Sequence, residues 1–364
     1  MSAPLTGKNA CPTGLSRRHF LALGAALALP SCRRPVAGVS TQLTGLTMGG
    51  TWSVKIPRVP STFAARELQE QIQSLLNRLD SNLSLWKPES ALCRFNRSIT
   101  TDWHEVPAEL ADIVEQSLAI SRQTEGAFDI TVAPLVLLWG FGPRDSARPP
   151  APPSDAAIAQ VLSLVGHHRL HVRRDPPAIR KDIPGLQIDL GAIGKGYAAD
   201  AVSASLDQLG IPDYLIDVGG ELKSRGHAST AGAWPIGIEE PTPDARRILL
   251  TIDLHDQSSA TSGDYHNFYD ANGKRYCHEI DPGTGSPIVD GPAAVSVLHP
   301  NGATADAFAT AFMVLGVERG LRLAEGLGIA ALFVRRVPGS FALEATRGFP
   351  WRKVAPQGIL MQVL

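Results

Sequence analysis

Leu186-Gln-Ile-Asp-Leu-Gly-Ala-Ile-Gly-Lys-Gly-Tyr-Ala-Ala-Asp-Ala-Val-Ser-Ala-Ser-Leu-Asp-Gln-Leu-Gly-Ile-Pro-Asp-Tyr-Leu-Ile-Asp-Val218 reads as a strand, a glycine turn, a helix and a second strand. Apolar residues alternate from Leu186 to Leu190, the period of a half-buried strand. Gly194 to Leu209 reads as a helix that Gly210 and Pro212 stop, and Tyr214 to Val218 is a strand ended by Gly219-Gly220. Working outward, this pattern is not repeated. Upstream, Gln42 to Ile56 predicts one strand bent at Gly49-Gly50. Ser61 to Leu79, Pro107 to Thr124 and Ser154 to Val165 predict helices, with Pro107 at a favoured first-turn position. His168 to Arg174 and Ala178 to Asp182 read as short strands. Downstream, strands are expected at Trp234 to Ile238, Ile248 to Leu254, Ala293 to Leu298 and Ile329 to Arg335, with one apolar helix before the last. Strands and helices mix without strict βαβ alternation, so the expected class is α+β rather than a doubly wound parallel sheet.

The bulk composition narrows the function. The chain has 364 residues, 44% hydrophobic and 19% charged, which is a globular balance. A net charge of −1 argues against nucleic acid as the main partner. Four cysteines are too few for a disulfide framework, and no Cys/His cluster has zinc-ligand spacing. Residues 1–32 read as an export signal. Ser16-Arg17-Arg18-His19-Phe20-Leu21 is a twin-arginine pattern, and the apolar run from Leu21 to Leu29 is too short to span a bilayer. An ordinary secretory signal with a chance Arg pair is the alternative. Leu29-Pro30-Ser31-Cys32 resembles a lipoprotein box with Cys32 as the lipidated residue; cleavage by an ordinary signal peptidase is the other reading. Residues 33–41 are then a linker, residues 42–364 one folded domain, and 143–153 a Pro-rich loop inside it.

Three constellations carry chemistry. In Ala303-Thr-Ala-Asp306-Ala-Phe-Ala-Thr310, Asp306 and Thr310 stand at i and i+4, on one face of an apolar helix. Two oxygen donors on one turn suit a hard cation such as Mg²⁺. The plainer alternative is that Asp306 caps the helix and Thr310 bonds back to a carbonyl. Gly191-Ala-Ile-Gly-Lys195-Gly opens a helix, where backbone N–H groups and Lys195 favour an anion, although the spacing is neither a dinucleotide fingerprint nor a P-loop. A tight turn needing small residues would explain the same glycines. Ser259 to Tyr265 and Tyr276 to Gly285 flank the turn signal Ala271-Asn-Gly-Lys274 and look like a hairpin presenting hydroxyls, His278 and Asp281.

These blocks, in order, resemble the ApbE family of FAD:protein FMN transferases. The matching segments are Met48-Gly-Gly-Thr51, Ser90 to Asn96, Gly126 to Val132 with Leu138 to Gly142, Asp189 to Tyr197, Asp217 to Glu221, Ala260 to Tyr265, His278 to Pro282 and Ala305 to Thr310. Gly50 departs from the compact Met-Gly-Thr form. The resemblance implies one large catalytic domain, ApbE-like and related to the T-fold, that takes FAD and a divalent cation, usually Mg²⁺. It implies cleavage of the FAD pyrophosphate, transfer of FMN to a Thr or Ser hydroxyl of an exported or membrane-bound electron-transfer protein, and release of AMP. By the same resemblance, Asp306, Thr310 and the Ala192 carbonyl hold the metal. Met48, Leu85, Trp86, Lys87, Asp129, Lys195 and Ile280 match FAD contacts. His278 matches a functionally important histidine, with His278 or Asp281 as general base. Two other readings use the same residues: a metal-dependent FAD pyrophosphatase, with water as nucleophile, and a non-enzymatic flavin-binding protein of the periplasm.

Overall fold

The computed structural model describes residues 40–59, 63–143, 151–228, 232–243, 247–350, 353–354 and 360–363. The export signal expected at 1–32, nearly all of the linker at 33–41 and most of the Pro-rich stretch at 143–153 lie outside the described residues. The strands Thr41–Thr47 (β1) and Gly50–Ile56 (β2) form an antiparallel hairpin, paired from Thr41 opposite Ile56 to Thr47 opposite Gly50. The single bent strand read from the sequence is therefore two strands. Met48 and Gly49 sit at φ 48° and 76°. Two successive positive φ values make the tight turn whose twist suits a hairpin, and glycine at one of them lowers the strain.

The chain continues through α1 (Ala65–Leu83), α2 (Ala91–Arg97), β3 (His104–Glu105), α3 (Ala108–Gln123), α4 (Ala133–Leu138) and α5 (Asp155–Leu162). Ser90 and Ser154 cap α2 and α5, and Pro107 stands at the N-cap of α3, one residue before the first-turn position expected for it. Next come β4 (Leu170–Arg174), β5 (Pro177–Lys181), α6 (Gly194–Gln208), β6 (Tyr214–Val218), β7 (Glu221–Arg225), β8 (Trp234–Glu239) and β9 (Ile248–Leu254). Then follow β10 (Ser258–Gly263), β11 (Phe268–Ala271), β12 (Lys274–Cys277), β13 (Ile280–Asp281), β14 (Ser286–Pro287) and β15 (Ala294–His299). The last elements are α7 (Gly302–Leu327), β16 (Ala330–Val337), β17 (Ser340–Ala345), β18 (Lys353–Val354) and β19 (Leu360–Val363).

A nine-stranded sheet runs β1-β2-β6-β7-β10-β15-β16-β17-β19. Its neighbours are antiparallel except β17 and β19. This is the α+β class expected from the missing βαβ alternation. Both faces of the central strands are buried. Val295 and Val297 of β15 and Ala331 and Phe333 of β16 join the core beneath α1, α6 and α7. Ala294, Leu298, Leu332 and Val334 point the other way, into a second core shared with β8 and β9. The side-chain period of two sends neighbours to opposite cores, which is why these strands read as continuous apolar runs. On α1, Leu68, Ile72, Leu76, Leu79 and Leu83 make the buried stripe. Each such side chain contributes about 1.5–3 kcal/mol.

Two expectations shift. The turn at Asn272-Gly273 does join a hairpin, but its strands are β11 and β12; β10 instead pairs with β7 and β15 in the large sheet. Leu186 to Leu190 is buried at every second residue yet forms no strand. Its neighbour is a side chain: the Asn96 amide donates to the Ile188 carbonyl at 2.8 Å and accepts from the Ile188 N–H at 2.9 Å. One amide thus does the work of a strand at this position, so the alternation is present without the ladder.

Candidate active site

The bend after Ile188 opens the site. The Asp189 N–H donates to the Ile130 carbonyl at 2.7 Å, and the Asp189 carboxylate accepts from the Gly191 N–H at 2.8 Å. The chain then turns into α6, bringing Ala192 and Lys195 to the wall of a cavity of about 380 Å³. Asp306 enters from α7 and is 4% exposed. It does not cap that helix, because Asn301 does so by accepting from the Thr304 N–H at 2.7 Å. Asp306 instead accepts from the Gly196 N–H at 3.0 Å, across to α6. The Thr310 hydroxyl pairs with that of Ser262 on β10 at 2.9 Å. The pair therefore points out of its own helix, toward the cavity that both residues line.

That cavity also takes in Trp86, Asp129, His278 and Ile280, along with Glu221 and Glu279. A second cavity of about 650 Å³ is lined by Met48, Leu85, Trp86 and Lys87. Trp86, Asp189, Gly191 and Lys195 belong to both, so the two adjoin. Every site residue expected from the sequence lines one or the other except Asp281. Its carboxylate accepts from the Gly283 N–H at 2.8 Å, inside the turn between β13 and β14. Asp129 lines the cavity with its carboxylate already engaged. It accepts from the Thr131 N–H and hydroxyl at 2.8 and 2.7 Å, and from the His167 N–H at 2.7 Å. Lys87 pairs with Asp80 at 2.5 Å.

Glu221 and Glu279 were not singled out as site residues from the sequence. Their signal is their place inside the Asp217-Val-Gly-Gly-Glu221 and His278-Glu-Ile-Asp-Pro282 blocks. They set the charge of the site. Lys195 is ion-paired with Glu221, and burial of the ammonium is outweighed by Glu221 and Asp306, which hold its pKa above the ordinary value. Burial, then the charge of Asp306, pushes the Glu221 carboxyl up to about 7 against the pull of Lys195. Burial pushes Glu279 up to about 8, again against Lys195. Asp306 is likewise raised by burial. Three buried carboxylates thus face one ammonium.

A hard divalent cation would fit here, because it would favour the ionised forms of carboxyls that burial pushes toward protonation and Lys195 alone does not offset. Among the described residues no group of three or more His, Cys, Asp or Glu side chains surrounds one point. The candidate donors at Asp306, Thr310 and Ala192 are instead a carboxylate, a hydroxyl and a main-chain carbonyl.

His278 is 38% exposed in its side chain, but protein walls surround it and burial favours its neutral form, with Lys195 acting in the same direction. Nδ1 is buried and has no hydrogen-bond partner among the described residues, whereas Nε2 lies 3.6 Å from Glu279.

The fold that carries this cleft is that of the flavin transferases, as solved structures and curated relatives of that class show. Flavin Transferase ApbE from Vibrio cholerae superposes with a TM-score of 0.77 at 36% identity, covering 85% of this chain and 98% of that one. The apo flavinyl transferase ApbE of Pseudomonas stutzeri gives a TM-score of 0.76 at 36% identity, covering 85% and 95%. A FAD:protein FMN transferase of Escherichia coli K12 is 40% identical over 303 residues, 83% of this chain and 86% of its own length. The ApbE family model matches residues 48–333, and the chain belongs to the ApbE family.

Proposed function

We propose that the chain transfers FMN from FAD to a Thr or Ser hydroxyl of a partner protein, releasing AMP, with Mg²⁺ held by Asp306, Thr310 and the Ala192 carbonyl. The observation that carries this reading is the convergence of Asp306, Thr310, Lys195 and His278 on one cavity from α7, α6 and the segment between β12 and β13. The acceptor oxygen forms a bond to the FMN phosphorus. The bond from that phosphorus to the bridging oxygen breaks, and AMP leaves with the electron pair. The hydroxyl proton passes to His278, which burial keeps neutral and so able to accept it. Lys195 and the N-terminus of α6 supply fixed positive potential beside the pyrophosphate. A bound divalent ion would add charge neutralisation at the phosphate oxygens.

The acceptor is expected to be an exported or membrane-bound electron-transfer protein. The Arg17-Arg18 pattern and Cys32 support export to the periplasm with a lipid anchor. Incubating the protein with FAD, Mg²⁺ and an acceptor carrying a Thr or Ser site tests the reaction. An acceptor heavier by one FMN, with AMP released in equal amount, is expected. Free FMN with an unmodified acceptor would make the chain a pyrophosphatase, and FAD bound but uncleaved would make it a carrier. Asp306→Ala should abolish the metal-dependent transfer; full activity in that variant, or without added metal, would sink the metal assignment.

A further inference from the structure

Asp200 and Lys223 line neither cavity, yet they hold the helix that carries Asp306. Asp200 lies on α6, four residues beyond Gly196, so the two share a helix face. Its Oδ2 accepts from the Gly302 N–H at 2.7 Å and the Ala303 N–H at 3.0 Å, the first two donors of α7. Its Oδ1 accepts from Lys223 Nζ at 2.8 Å, and both side chains are largely buried, at 18% and 13% exposure. Lys223 also donates to the Pro300 carbonyl, just before α7. One turn along, Gly196 N–H meets Asp306 Oδ2 at 3.0 Å. The two helices are therefore pinned by two rungs, Asp200 to Gly302 and Gly196 to Asp306, four residues apart on each helix. They touch closely between the rungs, since a Cβ on Gly302 would lie 2.7 Å from the Gly196 carbonyl.

We propose that Asp200 is a positioning residue for the Asp306 carboxylate, acting through the N-terminus of α7. Without its carboxylate the first N–H groups of α7 lose their partner, and the Lys223 ammonium loses its counter-charge and keeps only the Pro300 carbonyl. The helix start then relaxes, and Asp306 is no longer held against Gly196 in the orientation that turns its other oxygen to the cavity. Asp200 meets neither FAD nor the acceptor. Its effect is on how well Asp306 presents a ligand. The inference rests on the reading of Asp306 as a metal ligand.

Mn²⁺ alone is the probe, titrated calorimetrically into the FAD-free full chain at low temperature, where each variant is verified as folded by circular dichroism. Asp306→Ala should lose binding. Asp200→Ala should weaken it by about 10–100-fold, as lost support behind a ligand does. Asp200→Asn keeps one acceptor oxygen and is expected to weaken binding about threefold or more; it carries the test if the alanine variant fails to fold. A merely structural role would lower the melting temperature and leave the Mn²⁺ affinity of the folded protein untouched. Wild-type affinity in either Asp200 variant, with binding lost in Asp306→Ala, overturns the role of Asp200 while leaving the metal site standing. Wild-type affinity in Asp306→Ala removes the metal site, and the role of Asp200 with it.

Discussion

Replacing Gly196 by alanine puts a methyl group where α6 and α7 are in backbone contact. The added Cβ would lie 2.1 Å from the Gly302 carbonyl oxygen, 2.5 Å from its carbon and 2.9 Å from the Ala303 nitrogen. Ordinary contact begins at 3.4 Å, so α7 must retreat by about 1.3 Å. All three obstructing atoms are main chain, and no rotamer change can clear them. Overpacking of this kind costs about 1–3 kcal/mol. The same retreat lengthens the Gly196 N–H bond to Asp306, now 3.0 Å, beyond useful range. A hydrogen bond to a charged group is worth about 1.5–3 kcal/mol. The terms are coupled through one displacement, so the expected loss is about 2–5 kcal/mol rather than their full sum. Urea unfolding reads that loss, and Mn²⁺ titration at low temperature reads the displacement of Asp306 as weaker binding. A variant within about 0.5 kcal/mol of the parent, with unchanged Mn²⁺ affinity, would refute the claim that this contact sets the position of Asp306.

Glu279→Gln tests the buried charge. Its folded pKa is raised to about 8 from 4.5, so the folded protein binds this proton more tightly than the unfolded chain does. The stability that this proton contributes is complete below about pH 4.5, declines as the pH rises and is gone above about pH 8, a difference of up to about 4–5 kcal/mol for a side chain 6% exposed. Glu279→Gln should therefore match the parent in melting temperature near pH 4 and exceed it near pH 8.5; parallel profiles would remove the penalty. His278→Ala should slow transfer by about 10²–10⁴-fold while FAD affinity, measured by flavin fluorescence, stays near that of the parent. A near-normal transfer rate would take His278 out of the proton path.

Most of the residues picked out in the sequence, by local spacing or by the family blocks, line the two adjoining cavities. Asp306 and Thr310 share a helix face by period alone, and Lys195 follows a glycine turn that opens a helix. The misses have local causes too. Gly49-Gly50 reads as a bend because hydrophobic alternation continues on both sides of it; positive φ at Met48 and Gly49 makes a reversal there. Asp281 stands beside Ile280, which lines the cavity, but its carboxylate is spent on the Gly283 N–H of its own turn. A sequence records which carboxylates are near one another in the chain, not which amides have already claimed them.

What the chain determined by itself was the class of fold, the order of the family blocks and the identity of the groups able to hold an anion or a cation. The fold class and the ion-holding groups follow from local propensity, periodicity and chemical type, and the family blocks from resemblance. Tertiary structure decided the rest. It gave the helix cap to Asn301 and so released Asp306 to bond α6, and it set Glu221, Glu279 and Asp306 around a single Lys195. Residues 195, 221, 279 and 306 are distant in sequence, and their charges interact only once folding removes the water between them. The raised carboxyl pKa values, and with them the case for a divalent ion, arise from that shared burial.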